Sequence, residues 1–323
     1  MLKQYRIDGS EPVSLKKEAT GAGSQKKNKE EIIAKTAANQ LQIQQLQDKL
    51  YADGREGLII LIQARDAAGK DGTIKHVMSG VNPQGVDVYS FKSPSHEELA
   101  HDFLWRFNRA LPIRGKIAIF NRSYYEDVLI VKVRELWKTY KLPERLLNAD
   151  IIKRRYEQIC QFEEYLYQNG YRIVKIYLNV SAKKQKERFL ERIEQPDKNW
   201  KFSEADIAER GLWDEYTEAY EDAINATSTK HNPWYVIPAD QKWYARYLVS
   251  EAILKALTKI NPKYPSLSKE QIDRLSIYKE ALNAEKAGPE AGSFAPSKPE
   301  DEAAGKDVKK DKDVQQSVDT KNS

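Results

Sequence analysis

The residues best suited to chemistry lie in Gln63-Ala64-Arg65-Asp66-Ala67-Ala68-Gly69-Lys70-Asp71-Gly72. Small side chains there let the backbone approach a ligand, and Lys70 sets one mobile cation between Asp66 and Asp71. Just upstream, Leu58 to Ile62 is apolar, Ile-rich and too short for a helix, which suits a buried parallel strand. A helical pattern begins near Gly69. Strand, loop and helix in this order gather free backbone N–H groups and the positive end of a helix around one concavity, which suits phosphate. The spacing approximates the Walker A pattern G-x-x-x-x-G-K-[ST]. Ala64 stands at the first glycine position, and Asp71 where a hydroxyl normally holds magnesium. A plain structural turn is the alternative reading.

A second chemical segment, Asn121-Arg122-Ser123-Tyr124-Tyr125-Glu126-Asp127, follows another buried apolar run, Ile117 to Phe120. Ligands of parallel sheets sit at the carboxyl ends of strands, so both segments are expected to converge on one crevice. Asp66 can supply a carboxylate to magnesium, and Arg122 can fork onto a phosphate as charge develops. That mixture suits phosphoryl transfer; the bland alternative is an Arg122–Glu126 surface ion pair at a helix start. A third set is the basic run Lys183, Lys184, Lys186, Arg188 and Arg192, with Lys198 and Lys201 beyond it. By itself it reads as a solvated helix face; beside a phosphate loop it reads as a closing lid. Lys75, Lys92, Arg106, Arg109, Lys132 and Arg134 are further cations expected near the crevice. Their number suggests a longer polyanion than a nucleotide.

The elements that must position these residues alternate. Helical periodicity runs from Glu30 to Tyr51, and Asp53-Gly54 ends it. Strands are expected at Leu58 to Ile62, Val86 to Phe91, Ile117 to Phe120, Arg172 to Val180 and Trp234 to Ile237. Helices fall between them: one from the Ser95-His96-Glu97-Glu98 capping box through Leu111, one from about Asp150 to Gln168, the basic helix ending at Pro196, one from Ser203 toward Asn225, and one from Lys242 to Ile260. The pattern predicts a three-layer α/β sandwich with a central parallel sheet of about five strands. Residues 1–29 read as a flexible arm, 30–262 as the catalytic domain with a lid near 183–215, and 263–283 as a helical extension. Residues 284–323 are too polar to offset their ordering entropy and are expected to be disordered.

The whole composition narrows the function classes. A chain of 323 residues with net charge +5 leaves only the placement of charge to favour a polyanion. A lone cysteine, Cys160, excludes an internal disulfide and fits a reducing cytoplasm, and the four histidines lack zinc spacing. No apolar run reaches the ~18 residues of a membrane span, and the first residues lack a secretory h-region.

Several unrelated motifs recur in order: IQARDAAGKDGTIKHV, GVNPQG, HDFLWRF, IFNRSYYEDVLIVKV, and the run from DKNWKFSEADIAERGLW to HNPWYVIPADQKW. From about Leu41 to Leu257 the chain thereby resembles the polyphosphate kinase 2 family, most of all its class III. The resemblance implies a P-loop kinase core like that of thymidylate kinase, with a helical lid. It implies reversible transfer between inorganic polyphosphate and AMP or ADP, with magnesium or manganese. It implies cytoplasmic homodimers or homotetramers, and no nucleic-acid or membrane partner. By position Asp66, Gly69 and Lys70 match the family's Walker A residues, Asn121 and Arg122 its Walker B region, Glu126 the acid that follows, and Arg188 its lid. Ala67, Ala68, Asp71, Gly72 and Lys75 complete the expected phosphate and nucleotide set, and Asp66 is the expected metal ligand. Ala64 departs from the family's usual glycine, and Tyr124 from a frequent histidine. Asn121, an amide where other classes carry Asp, resembles the class that phosphorylates both mono- and diphosphates. An ATP-dependent nucleotide kinase on the same fold, and a non-catalytic polyanion binder, remain the alternatives.

Overall fold

Parallel strands buried on both faces are apolar along nearly their whole length, and the segment from Gly57 to Ala64, buried throughout, follows that rule without alternation, with Gln63 its one polar residue. In the computed structural model, which describes residues 1–284, it forms a central strand. In chain order the elements are β1 (Arg6–Ile7), α1 (Lys29–Asp53), β2 (Gly57–Ala64), α2 (Lys70–Val77) and β3 (Val86–Ser90). Then come α3 (His96–Leu99), α4 (Trp105–Asn108), β4 (Ile117–Asn121), α5 (Ile130–Val133), α6 (Ile151–Gln168) and β5 (Tyr171–Asn179). The series continues with α7 (Ala182–Glu194), α8 (Glu204–Arg210), α9 (Trp213–Thr227), β6 (Trp234–Pro238) and α10 (Lys242–Ile260). These lie in a body spanning Met1–Ser266; a second unit begins at Leu267 and contributes α11 (Lys269–Ala284). The tail beyond Ala284, expected to be disordered, lies outside the described residues.

The sheet order is β1-β6-β5-β2-β4-β3, parallel except for β1. Leu58, Ile60 and Ile62 of β2 face one core with α1, α2 and α10, while Ile59 and Leu61 face another with α6 and α9. This is the expected three-layer sandwich, with six strands where about five were expected. The sixth, β1, has two residues and no periodicity to betray it.

That strand belongs to the segment read as a loose arm, and here the structure corrects the sequence. Leu2, Tyr5, Val13, Leu15 and Ala22 are buried. Asn225 clasps Val13 through both its N–H (2.8 Å) and its carbonyl (3.0 Å). Tyr5 meets the Tyr244 hydroxyl at 3.0 Å. The arm's apolar residues are too sparse to show a period, yet each fills a gap at a core edge. The helix expected from Ser95 to Leu111 is also broken. Its capping box forms, but α3 ends at Leu99, and Asp102 restarts the chain by accepting from the Leu104 amide (2.9 Å). The helix expected from Ser203 toward Asn225 divides at Gly211-Leu212, and the extension from residue 263 becomes helical only at Lys269.

Candidate active site

The loop after β2 turns sharply. Ala67 (φ 60°) and Gly69 (φ 104°) adopt left-handed backbone, and the first-turn amides of α2 lack intrahelical acceptors. Successive turns of this kind form a concave nest of N–H groups suited to an anion. Lys70 folds back over the loop, its Nζ donating to the carbonyls of Ala64 (2.9 Å) and Arg65 (3.5 Å). Ala64, at the position usually held by glycine, is the last residue of β2. It pairs with Leu178 and has no positive φ, so its methyl group costs no backbone strain.

The β4 end brings the second segment alongside. The Arg122 amide donates to Ile62 O (3.1 Å), tying the two strand ends together, and Arg122 itself has φ 64°. Its Nη2 donates to Asp66 Oδ1 at 2.6 Å, so the two expected site residues meet directly. Burial raises the Asp66 pKa, but Lys70 and Arg122 outweigh it and hold the carboxyl below its usual range. Burial lowers the Lys70 pKa, and Asp66 opposes the shift. Glu126 is pushed up by burial, against the pull of Arg122 and Lys70. The Gln63 amide, oriented so that both its ends are satisfied, donates to Glu126 Oε1 (3.0 Å) and accepts from the Ser123 N–H (3.2 Å). Arg122 therefore bonds to Asp66 and feels Glu126 behind it, so the simple Arg122–Glu126 surface pair does not describe this site.

Asn121 Nδ2 donates to Asp71 Oδ1 at 2.7 Å, which places a carboxylate at the α2 start against an amide at the β4 end. Asn121 Oδ1 is buried with no hydrogen-bond partner among the described residues. Magnesium keeps several waters and takes one or two protein oxygens plus phosphate oxygens. Asp66 fits that requirement: it is held ionised, and its Oδ2 has no hydrogen bond among the described residues. Among those residues no group of three His, Cys, Asp or Glu side chains gathers to cage an ion, so the metal would depend on the substrate's phosphates.

Beneath the segment lies a buried polar network. Tyr124 and Tyr125 both donate to Glu163 Oε1 (2.9 and 2.8 Å), and Lys175 donates to Glu163 Oε2 and to Thr227 O (2.7 Å each). Tyr124, where a histidine is frequent, thus anchors the loop to α6.

A cleft of about 520 Å³ opens above the loop and is lined by nine Lys or Arg residues against three Asp or Glu residues, so an anionic occupant is favoured. Arg188, Arg192, Lys198 and Lys201 reach it from α7 and the turn that follows. Arg188 is nevertheless engaged with backbone carbonyls. The cations expected nearby separate. Lys92 lines the cleft, and Lys75 is exposed on α2 outside the lining. Arg106 and Arg109 pair with Glu98 and Glu97, Lys132 with Glu218 and Asp222, and Arg134 with Glu209. Of the remaining expected residues, Ala67, Gly69, Asp71 and Gly72 line the cleft, while Ala68 and Glu126 support it from behind. Lys242 and Arg246, not singled out from the sequence, sit on the first turns of α10 and line the cleft too. Their signal was available: a strand end, then cations at i and i+4 of the next helix.

Against known proteins, residues 26–265 match the family model described as polyphosphate kinase 2. The chain belongs to the polyphosphate kinase 2 family. It is 45% identical over 265 residues to the ADP-polyphosphate phosphotransferase of Rhodopseudomonas palustris, covering 81% of this chain and 92% of that one. It is 40% identical to the AMP/ADP-polyphosphate phosphotransferase of Meiothermus ruber, covering 82% and 96%. The crystal structure of polyphosphate kinase 2 from Arthrobacter aurescens TC1 superposes with a TM-score of 0.70 at 39% identity, covering 76% of this chain and 84% of that one. As a polyphosphate kinase 2 chain it is a phosphotransferase, and its three-layer core is the P-loop kinase-like fold of that family.

Proposed function

We propose that this enzyme transfers a phosphoryl group reversibly between inorganic polyphosphate and nucleotides, accepting AMP as well as ADP. The observation that carries this reading is the cationic cleft. The phosphate loop and Lys70 lie in its floor, and Arg192, Lys198, Lys242 and Arg246 extend the positive lining beyond them. A nucleotide's phosphates need only a handful of cations; a polyphosphate chain uses the rest.

The attacking group is itself a phosphate, with a second pKa near ~6, and is already anionic at neutral pH. No general base is needed, and the absence of a poised histidine from the loop is consistent with that. The chain's task is to bring two polyanions together. The loop amides and Lys70 bind phosphate oxygens, Arg122 bridges Asp66 and the space where charge develops, and the cations of the cleft align the donor. Magnesium, or manganese, held by Asp66 and the phosphates would neutralise the charge between donor and acceptor.

The test is purified protein with magnesium, polyphosphate and either AMP or ADP, without ATP. Formation of ADP from AMP and ATP from ADP is expected. Turnover that requires ATP as donor would instead identify an ATP-dependent nucleotide kinase. Binding that falls steeply with salt, without turnover, would identify a polyanion binder. No helix among the described residues is long and apolar enough to cross a membrane. A cytoplasmic homo-oligomer without a nucleic-acid partner completes the proposal; light scattering tests the assembly.

A further inference from the structure

Arg188 lines the cleft, but its hydrogen bonds point elsewhere. It is 8% exposed. Nη1 donates to the carbonyls of Ala67 (3.0 Å) and Ala68 (2.7 Å), and Nη2 to those of Ala239 (2.8 Å) and Asp240 (3.1 Å). A guanidinium has five N–H donors, four of them on the two terminal nitrogens. Four carbonyls therefore occupy all of the terminal donors and leave only Nε–H for a ligand. One turn earlier on α7, Gln185 Nε2 donates to Asp66 O at 3.0 Å. Three successive carbonyls of the phosphate loop are thus held by one face of one helix.

In a trans peptide the carbonyl and the following N–H point in opposite directions. Holding the carbonyls of Asp66, Ala67 and Ala68 therefore fixes where the amides of Ala67, Ala68 and Gly69 point. The Ala68 amide donates to Arg65 O (3.2 Å), while those of Ala67 and Gly69 have no acceptor among the described residues. The arrangement holds Ala67 at φ 60°, a left-handed conformation that is strained for an L-residue.

We propose that Arg188, with Gln185, is a positioning residue that holds the strained Ala67 peptide so that the loop amides face the anion, and is not itself a phosphate ligand. The proposal rests on the phosphoryl-transfer reading for its activity measurement, so a second measurement, tripolyphosphate affinity by calorimetry, runs beside it. Lysine keeps the charge of arginine but has only three donors on one nitrogen, too few and too close together for the four carbonyls that the guanidinium fork holds. Glycine adopts positive φ without strain. Arg188→Lys is expected to lower kcat by ~100-fold, the scale of losing oriented donors, and to weaken tripolyphosphate binding. Adding Ala67→Gly should recover tenfold or more of both. Gln185→Leu, which leaves the Arg188 clasp on Ala239 and Asp240 intact, should give a smaller loss with the same rescue. It carries the test if Arg188→Lys fails to fold by thermal melting.

Arg188→Lys activity within threefold of wild type would overturn the proposal, as would a loss that Ala67→Gly leaves unrepaired. A wild type that binds tripolyphosphate but transfers nothing would defeat the functional reading alone, and the rescue would then be read from affinity. A wild type that does neither overturns both.

Discussion

Asn121 Nδ2 donates to Asp71 Oδ1 at 2.7 Å, joining the end of β4 to the start of α2 across the mouth of the phosphate loop. The contact gives Asp71, at the position where a Walker A loop normally carries a hydroxyl, a neutral partner. It also leaves Asn121 Oδ1 buried and unpaired among the described residues.

Asn121→Asp would set one carboxylate against another beside the space that receives two polyanions. An AMP phosphate must enter further than the terminal phosphate of ADP, so AMP should suffer more. The AMP-to-ADP turnover ratio with polyphosphate is expected to fall about tenfold, equivalent to ~1.4 kcal/mol. Adding Asp71→Asn should restore part of it. A wild type that ignores AMP, or an unmoved ratio in the variant, would remove Asn121 as the acceptor switch.

Lys70→Met should reduce transfer by ~100-fold or more, because a positioned charge leaves the floor of the cleft. The lysine also ties the loop to the strand end, its Nζ donating to Ala64 O at 2.9 Å. A stability loss of ~1 kcal/mol should accompany the rate loss. Rate and urea midpoint measured on the same preparation check both; near-normal turnover would sink the loop assignment.

The sequence carried the parallel core because β2, β4 and β6 are buried along nearly their whole length, and runs such as Leu58 to Ile62 announce that directly. It also carried the meeting of Asp66 with Arg122, since adjacent strand ends must converge. The N-terminal segment was misread because Leu2, Tyr5, Val13 and Leu15 pack singly through irregular backbone, with no period to detect. The partners of Arg188 were invisible for another reason. A guanidinium on a basic helix looks the same whether it faces phosphate or carbonyl, and only the fold places Ala239 and Ala67 on either side of it.

Acid should stabilise one part of the fold. Burial pushes the Asp127 carboxyl up to about 6, outweighing Arg155, whose Nη1 lies 3.5 Å from Asp127 Oδ1. The folded chain then holds this proton more tightly than the unfolded chain, whose Asp titrates near ~3.9. The contribution is therefore full below that value, declines as the pH rises, and is gone above about 6. The unfolding free energy of wild type minus that of Asp127→Asn should fall by ~2 kcal/mol between pH ~4 and ~6.5. Urea titrations across that range check the sign; a level difference would show that Asp127 does not hold the proton.

Lys175 and Glu163 form a pair with side chains 0% and 1% exposed, Nζ to Oε2 at 2.7 Å. Each charge is also hydrogen-bonded: Lys175 to Thr227 O, Glu163 to the Tyr124 and Tyr125 hydroxyls. Such a pair adds little beyond an apolar replacement of equal volume, but removing one partner strands the other charge away from water. Lys175→Met and Glu163→Met should each cost ~3–5 kcal/mol, and the double substitution much less than their sum. The two tyrosines join Arg122 to Glu126 along the chain, so each single variant should also lose activity at temperatures where it remains folded. A double-mutant cycle by urea unfolding measures the coupling. Single losses below ~1 kcal/mol, or strict additivity, would mean that the network neither holds its charges nor steadies the catalytic segment above it.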